Sequence, residues 1–162
     1  MESKGQQLRD ACGYIGNFDE VKRLVDEEGV DVESSDDRNR SNCDTPLMKA
    51  AMHGHVDIVR FLLDRGANID NRSDIDDTAL HYAAYYGHDE IVKLLIERGA
   101  NLHVRDDHDN RTPLDDAKNK NKSSTVAIIK KATKSTKSKN EYLLILITSL
   151  YSHKHHFYHI TF

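Results

Sequence analysis

The chain reads as an all-α solenoid of helix-turn-helix repeats joined by hairpin-like connectors, and three observations carry that reading. Residues 44–70, DTPLMKAAMHGHVDIVRFLLDRGANID, align without a gap on residues 77–103, DTALHYAAYYGHDEIVKLLIERGANLH, an offset of 33. Self-similarity at a fixed period of this length marks stacked repeats. The second observation is helical periodicity inside each copy. Ile58, Val59, Leu62 and Leu63, and again Ile91, Val92, Leu95 and Ile96, make an apolar stripe spaced i, i+1, i+4, i+5. The third is punctuation: a Thr opens each copy and glycines close each helix.

Each unit follows from local chemistry. Thr45 and Thr78 stand where a hydroxyl accepts from the exposed backbone N–H groups of a first helical turn, and Pro46 suits that turn. The short first helix ends in Ala50-Ala51 or Ala83-Ala84, small because a second helix packs close, and Gly54 and Gly87 release the chain into a turn. The striped second helix ends at Gly66 or Gly99. An Asn/Asp-rich connector then leads to the next Thr.

The frame extends outward to four copies. Thr112, Pro113, Leu114 and Ala117 repeat Thr45, Pro46, Leu47 and Ala50, while Leu8, Ala11, Gly16, Asp19, Val21, Leu24, Val25 and Gly29 give a first copy, one residue longer in each of two turns. The stack is placed at residues 1–132, with units near 5–36, 44–73, 77–106 and 111–132. A polar insertion, Asp36–Asn42, separates the first two units and reads as a surface loop. A lone helix pair this short cannot bury its stripe, so about three or more copies are needed, and the irregular outer copies read as polar caps. In the last copy Asn121 replaces the turn glycine, amid Lys118, Lys120 and Lys122.

Charge is divided sharply. Residues 1–117 carry 14 Lys+Arg against 26 Asp+Glu, a net −12, and residues 118–162 carry 9 Lys against Glu141, a net +8; together they make the −4 of the whole chain. An acidic body repels phosphate, so no nucleic-acid partner is expected for the repeats. Cys12 and Cys43 have no ligand-like spacing and form no disulfide framework, which fits a reducing compartment. The expected location is the cytoplasm, and Lys130, Lys131, Lys134, Lys137 and Lys139 offer a nuclear-targeting patch as well.

Residues 133–162 depart from the repeats. TKSTKSKN reads as a basic linker, followed by apolar Tyr142–Ile147 (YLLILI) and a His-rich end, the whole expected to be poorly ordered. The apolar run is about ten residues where a membrane span needs ~20, although basic residues before an apolar patch also suit a peripheral membrane contact. His153, His155, His156 and His159 lack the oriented support a metal site needs.

With Thr-Pro-Leu-x-x-Ala-Ala-x-x-Gly-His followed by Ile-Val-x-x-Leu-Leu-x-x-Gly-Ala-Asn in view, residues 5–132 resemble the ankyrin-repeat family, whose fold is an ankyrin-type α-solenoid. Connector tips that are usually Gly in that family are Asp76 and Asn110 here. The resemblance implies that His81, the one match to the family's Thr-Pro-Leu-His histidine, ties a turn to its neighbour and is structural; Met48 and Asp115 hold the equivalent places. It also implies a protein partner lying along connector tips and the exposed side of first helices. The repeat frame puts Ser41, Asn42, Asp44, Met52 and His53 there in the second unit, Asp74, Ile75, Asp77, Tyr85 and Tyr86 in the third, and His108, Asp109, Arg111, Asn119 and Lys120 in the fourth, with Tyr14 and Ile15 from the first.

Tyrosines give large contact area at small entropy cost, so Tyr85 and Tyr86, with Met52 and His53, are the expected anchors, unless they only fill the gap between first helices. The tips Asp74, Asp76 and Asp77 point to a partner segment with a basic and an apolar element. No phosphate loop, nucleophile elbow, paired catalytic carboxylates or metal spacing occurs in the repeats, so no enzyme, cofactor or metal is expected. The chain is expected to be a monomeric adaptor or regulatory scaffold. The alternative is a membrane-peripheral anchor positioned by the tail.

Overall fold

Threonines start the first helix of three units, and the computed structural model shows three different ways of completing the same cap. The structure describes residues 3–34 and 43–156. Thr45 Oγ1 accepts from the Met48 N–H at 3.3 Å, and the Thr45 N–H in turn points at Met48 Sδ, 3.4 Å away. Thr112 Oγ1 accepts from the Asp115 N–H at 3.3 Å, while Asp115 Oδ2 receives the Thr112 hydroxyl at 2.7 Å and its N–H at 3.3 Å. In the middle unit His81 Nδ1 accepts from the Thr78 N–H at 3.1 Å and lies 3.0 Å from Thr78 Oγ1. These are reciprocal capping boxes built on a thioether, a carboxylate and an imidazole.

The helices follow in pairs: α1 (Lys4–Cys12) with α2 (Phe18–Lys22), α3 (Pro46–His53) with α4 (Val56–Asp64), α5 (Ala79–Tyr86) with α6 (Asp89–Glu97), and α7 (Pro113–Asn119) with α8 (Ser123–His156). First helices pack side by side, α1 on α3, α3 on α5 and α5 on α7. The alanine pairs at 50–51 and 83–84 are fully buried, which permits that approach. Leu8, Leu47, Leu80, Ile58, Leu62, Ile91 and Leu95 fill the core between the layers.

The buried stripe differs from the expected spacing. Phe61 and Leu94 are buried, whereas Leu63 and Ile96 are only half-buried. The inner face is thus i, i+1, i+3, i+4, because the second helix contacts the first helix of its own unit as well as its neighbours. Phe61 also meets Phe18 edge-on, with ring centroids 5.5 Å apart.

Both extra residues of the first unit are accommodated locally. After α2 the helix widens into a π turn, Arg23–Glu27, with the Glu28 N–H bonded to the Arg23 carbonyl five residues back at 3.2 Å. The other lengthens the Gly13–Gly16 turn and pushes Tyr14 and Ile15 into solvent, 90% and 68% exposed.

Neighbouring units are tied turn to turn. His55 Nε2 lies 2.8 Å from the Gly13 carbonyl and His88 Nε2 3.0 Å from that of Met52. Gly54 is needed twice over: its φ is +85°, and a Cβ there would stand 2.8 Å from the His88 ring. In the last turn Lys122 replaces the histidine, lying against Gly87. The connectors are tight turns with Asp76 and Asn110 at φ 62° and 56°, and Asn121 at φ 55°, so short polar residues take the left-handed places of glycine. The Asp107 N–H bonds the Ile75 carbonyl at 3.1 Å, joining one connector to the next.

The described residues fall into two units, one ending at Ile129 and the other starting at Lys130. In the first, Thr125 and Ile129 of α8 are buried. In the second, α8 continues to His156 as helix through the segment 133–140 that reads as a poorly ordered linker in the sequence. No Gly or Pro interrupts Ser123–His156, and lysine is a good helix former, so the composition contains no stop signal. Leu143, Leu144 and Leu146 are exposed on it. Among the described residues no helix is long and apolar enough to cross a membrane. The insertion Asp36–Asn42, with groove positions Ser41 and Asn42, and His159 of the tail lie outside the described residues.

Candidate binding groove and its central pocket

Five of the residues expected at a partner surface come together. Ile75, Asp77, Tyr85, Tyr86 and Arg111 line one pocket of about 230 Å³, with His81, Tyr82 and Asp116 as its remaining walls. The connector before α5 supplies Ile75 and Asp77, α5 supplies the tyrosines and His81, the connector before α7 supplies Arg111, and α7 supplies Asp116. Tyr85 is half-buried and Tyr86 46% exposed, their rings 5.0 Å apart and inclined at 63°. Tyr86 stacks on His88 at 6.1 Å, and Lys120 Nζ stands 4.2 Å from the Tyr85 centroid. Tyr86 therefore keeps open surface and does more than fill the gap between helices.

Met52, His53, Asp74 and His108 lie outside this pocket. Met52 is half-buried, and His53 is exposed and meets Tyr14 edge-on at 6.0 Å. His53, Tyr14 and Ile15 line a shallower hollow of about 380 Å³ with Arg9, Asp10, Gly13 and Lys49. Asp74 and His108 are exposed, His108 beside Asp109 at 3.6 Å.

The pocket is acidic at its floor. Burial, then the charges of Asp116 and Asp106, push the Asp77 carboxyl up to about 7. Burial also raises Asp116, to about 6, despite Arg111 Nε at 3.2 Å. Asp106 shares the neighbourhood but is held below the usual carboxylate range in spite of its burial, because it accepts the Asp109 and Arg111 N–H groups at 2.9 and 3.1 Å. Arg111 is divided among Asp106, Asp109 and Asp116, at 3.3, 2.9 and 3.2 Å.

Asp77, His81 and Asp116 present ligand atoms within 4.8 Å of one another, which raises the question of a metal. The imidazole answers it. Nδ1 accepts from the Thr78 N–H, which leaves the proton on Nε2, and that nitrogen faces the Arg111 carbonyl at 3.3 Å. Neither nitrogen has a lone pair free, so His81 acts as the tie between turns that the family resemblance implies. Burial lowers its pKa.

Tyr82 and Asp116 were missed by the sequence reading, yet the frame locates them: with Lys49 they hold one position of each first helix. Position alone does not show which way their side chains are drawn. Cys12 is buried and free, its thiol pushed up to about 12 by burial, and so inert.

Comparison with known proteins agrees with this architecture. A family model described as ankyrin repeats in three copies matches residues 8–106 and 71–140. Alpha-latrocrustotoxin-Lt1a of Latrodectus tredecimguttatus is 36% identical over 63 residues, 39% of this chain and 4% of the toxin. The human Ankyrin repeat and KH domain-containing protein 1 is 41% identical over 68 residues, 42% of this chain and 2% of that protein. The mouse serine/threonine-protein kinase TNNI3K is 41% identical over 59 residues, 36% of this chain and 7% of the kinase. The chain thus spans under a tenth of the length of these relatives. Ankyrin repeats are in general protein–protein interaction modules and typically non-catalytic. On the repeat frame, the stacked helix pairs and a family match over most of its length, this chain belongs to the ankyrin-repeat family.

Proposed function

We propose that the chain is a non-enzymatic adaptor or regulatory scaffold that holds a partner protein along its connector tips and first helices, centred on the third unit. The observation that carries this reading is one pocket where Ile75, Tyr85 and Tyr86 meet the carboxylates Asp77 and Asp116. Apolar surface and acid side by side fit a segment with an apolar and a basic element. The second hollow, at Tyr14, Ile15 and His53, continues the contact toward the first unit. Replacing both Tyr85 and Tyr86 by Ala is expected to abolish capture of the natural partner by affinity purification, with the helical circular dichroism unchanged; undiminished capture would refute the reading.

A second reading rests on Leu143, Leu144 and Leu146, 59%, 66% and 59% exposed on a helix that follows Lys130, Lys131 and Lys134. Such a helix suits a peripheral hold on an anionic membrane surface. Vesicle sedimentation with and without residues 133–162 separates the two, since groove binding survives the deletion and membrane association does not.

A further inference from the structure

The repeat frame singles out one carboxylate. The residue before each threonine is Asp44, Asp77 or Arg111, and the fifth residue onward from it is Lys49, Tyr82 or Asp116. In the second unit these two pair, with Lys49 Nζ 2.8 Å from Asp44 Oδ2. They pair in the fourth unit too, with the charges exchanged: Arg111 Nε is 3.2 Å from Asp116 Oδ1. In the third unit Tyr82 turns away and donates its hydroxyl to Asp44 of the preceding unit at 2.8 Å. Asp77 loses its place in the ladder, and its Oδ1, shut off from solvent, has no hydrogen-bond partner among the described residues. That unpaired oxygen is costly, and a donor can reach the carboxylate only at the edge that lines the pocket.

Resting on the reading of the groove as a protein-binding surface, we propose that the Asp77 pocket receives one cationic side chain, lysine or arginine, from the bound partner. Carboxylate oxygens of Asp77 and Asp116 lie within 4.8 Å of each other, so one ammonium nitrogen between them reaches both at the ~2.8 Å of a charge-assisted bond, and a guanidinium reaches them with two nitrogens. The walls suit the rest of such a side chain. Ile75 and Tyr86 offer apolar surface to the methylene stem, and Tyr85 already holds one cation, Lys120, against its ring. Arg111 does not fill the place, because its guanidinium is engaged by Asp106, Asp109 and Asp116.

The test is amide NMR titration of the full chain with acetylated, amidated tetrapeptides of sequence Ala-Leu-X-Ala, where X is Arg, Lys, citrulline or norleucine. The Arg and Lys peptides are expected to move the amides of 75–77, 85–86 and 116 and to bind about tenfold more tightly than their neutral counterparts. Asp77→Asn is expected to remove that advantage while leaving the neutral peptides unchanged, and its thermal unfolding shows whether the variant is folded. Asp116→Asn serves as the second variant. Equal binding of charged and neutral peptides at these residues overturns the cation pocket and leaves the groove reading intact. Failure of every peptide to move these amides also overturns the pocket, and the groove then stands or falls on the Tyr85 and Tyr86 variants.

Discussion

Asp77→Asn isolates the energetic consequence of the unpaired carboxylate. In the unfolded chain Asp77 titrates near the ordinary value of about 3.9, and in the fold near 7. Between those values the native state binds the extra proton, so stability is fully present below about pH 4 and is lost as pH rises through 7. A rise of that size corresponds to about 4 kcal/mol, at ~1.36 kcal/mol per tenfold change in proton affinity. Asp77 is half-buried, with one edge open to the pocket, and water there screens the charge, which brings the expected loss to about 2 kcal/mol. The groups facing it are Asp116, Asp106 and Asp44, which raise its pKa, Arg111, which lowers it, and the neutral His81 and Tyr82 of the pocket wall. Asn keeps the shape without the proton equilibrium. Urea denaturation followed by circular dichroism should therefore show wild type and variant alike at pH 4 and the variant more stable by about 2 kcal/mol at pH 8. A difference independent of pH, or a variant less stable at pH 8, would show that the Asp77 carboxylate is not destabilised in the fold.

Two further substitutions probe the scaffold. His81→Ala strips a partner from the Thr78 N–H and from the Arg111 carbonyl, and is expected to cost about 2–3 kcal/mol in chemical denaturation. Ala83→Leu forces bulk into the fully buried seam of α5 and should lower stability by about 1–3 kcal/mol, seen as a fall in Tm.

Much of the fold was legible because a repeat states each instruction more than once. The gapless 33-residue offset, the threonine starts and the glycine ends each appear in both central units; that Asp76 and Asn110 stand where the family has Gly was legible too, whereas their left-handed backbone is seen only in the structure. Other features depend on what one copy does that the others do not. The extra residue near Glu28 was visible, but only the backbone shows that a π turn absorbs it. Phe61 and Leu94 were passed over because a stripe drawn from one neighbour ignores the second face each helix buries. The pocket was half legible: Ile75, Asp77, Tyr85, Tyr86 and Arg111 followed from the frame, whereas the orphaning of Asp77 depends on the direction Tyr82 takes, a tertiary choice.

In the proposed binding mode a partner is held across the connector tips and first helices of the middle units. Hydrogen–deuterium exchange of the full chain with and without its affinity-isolated partner tests this most directly. Slowed exchange is expected over residues 74–86 and 106–116. Protection confined to the outer faces of α4 and α6, around Arg60 and Lys93, with those segments unchanged, would place the partner on the opposite face and rule this binding mode out.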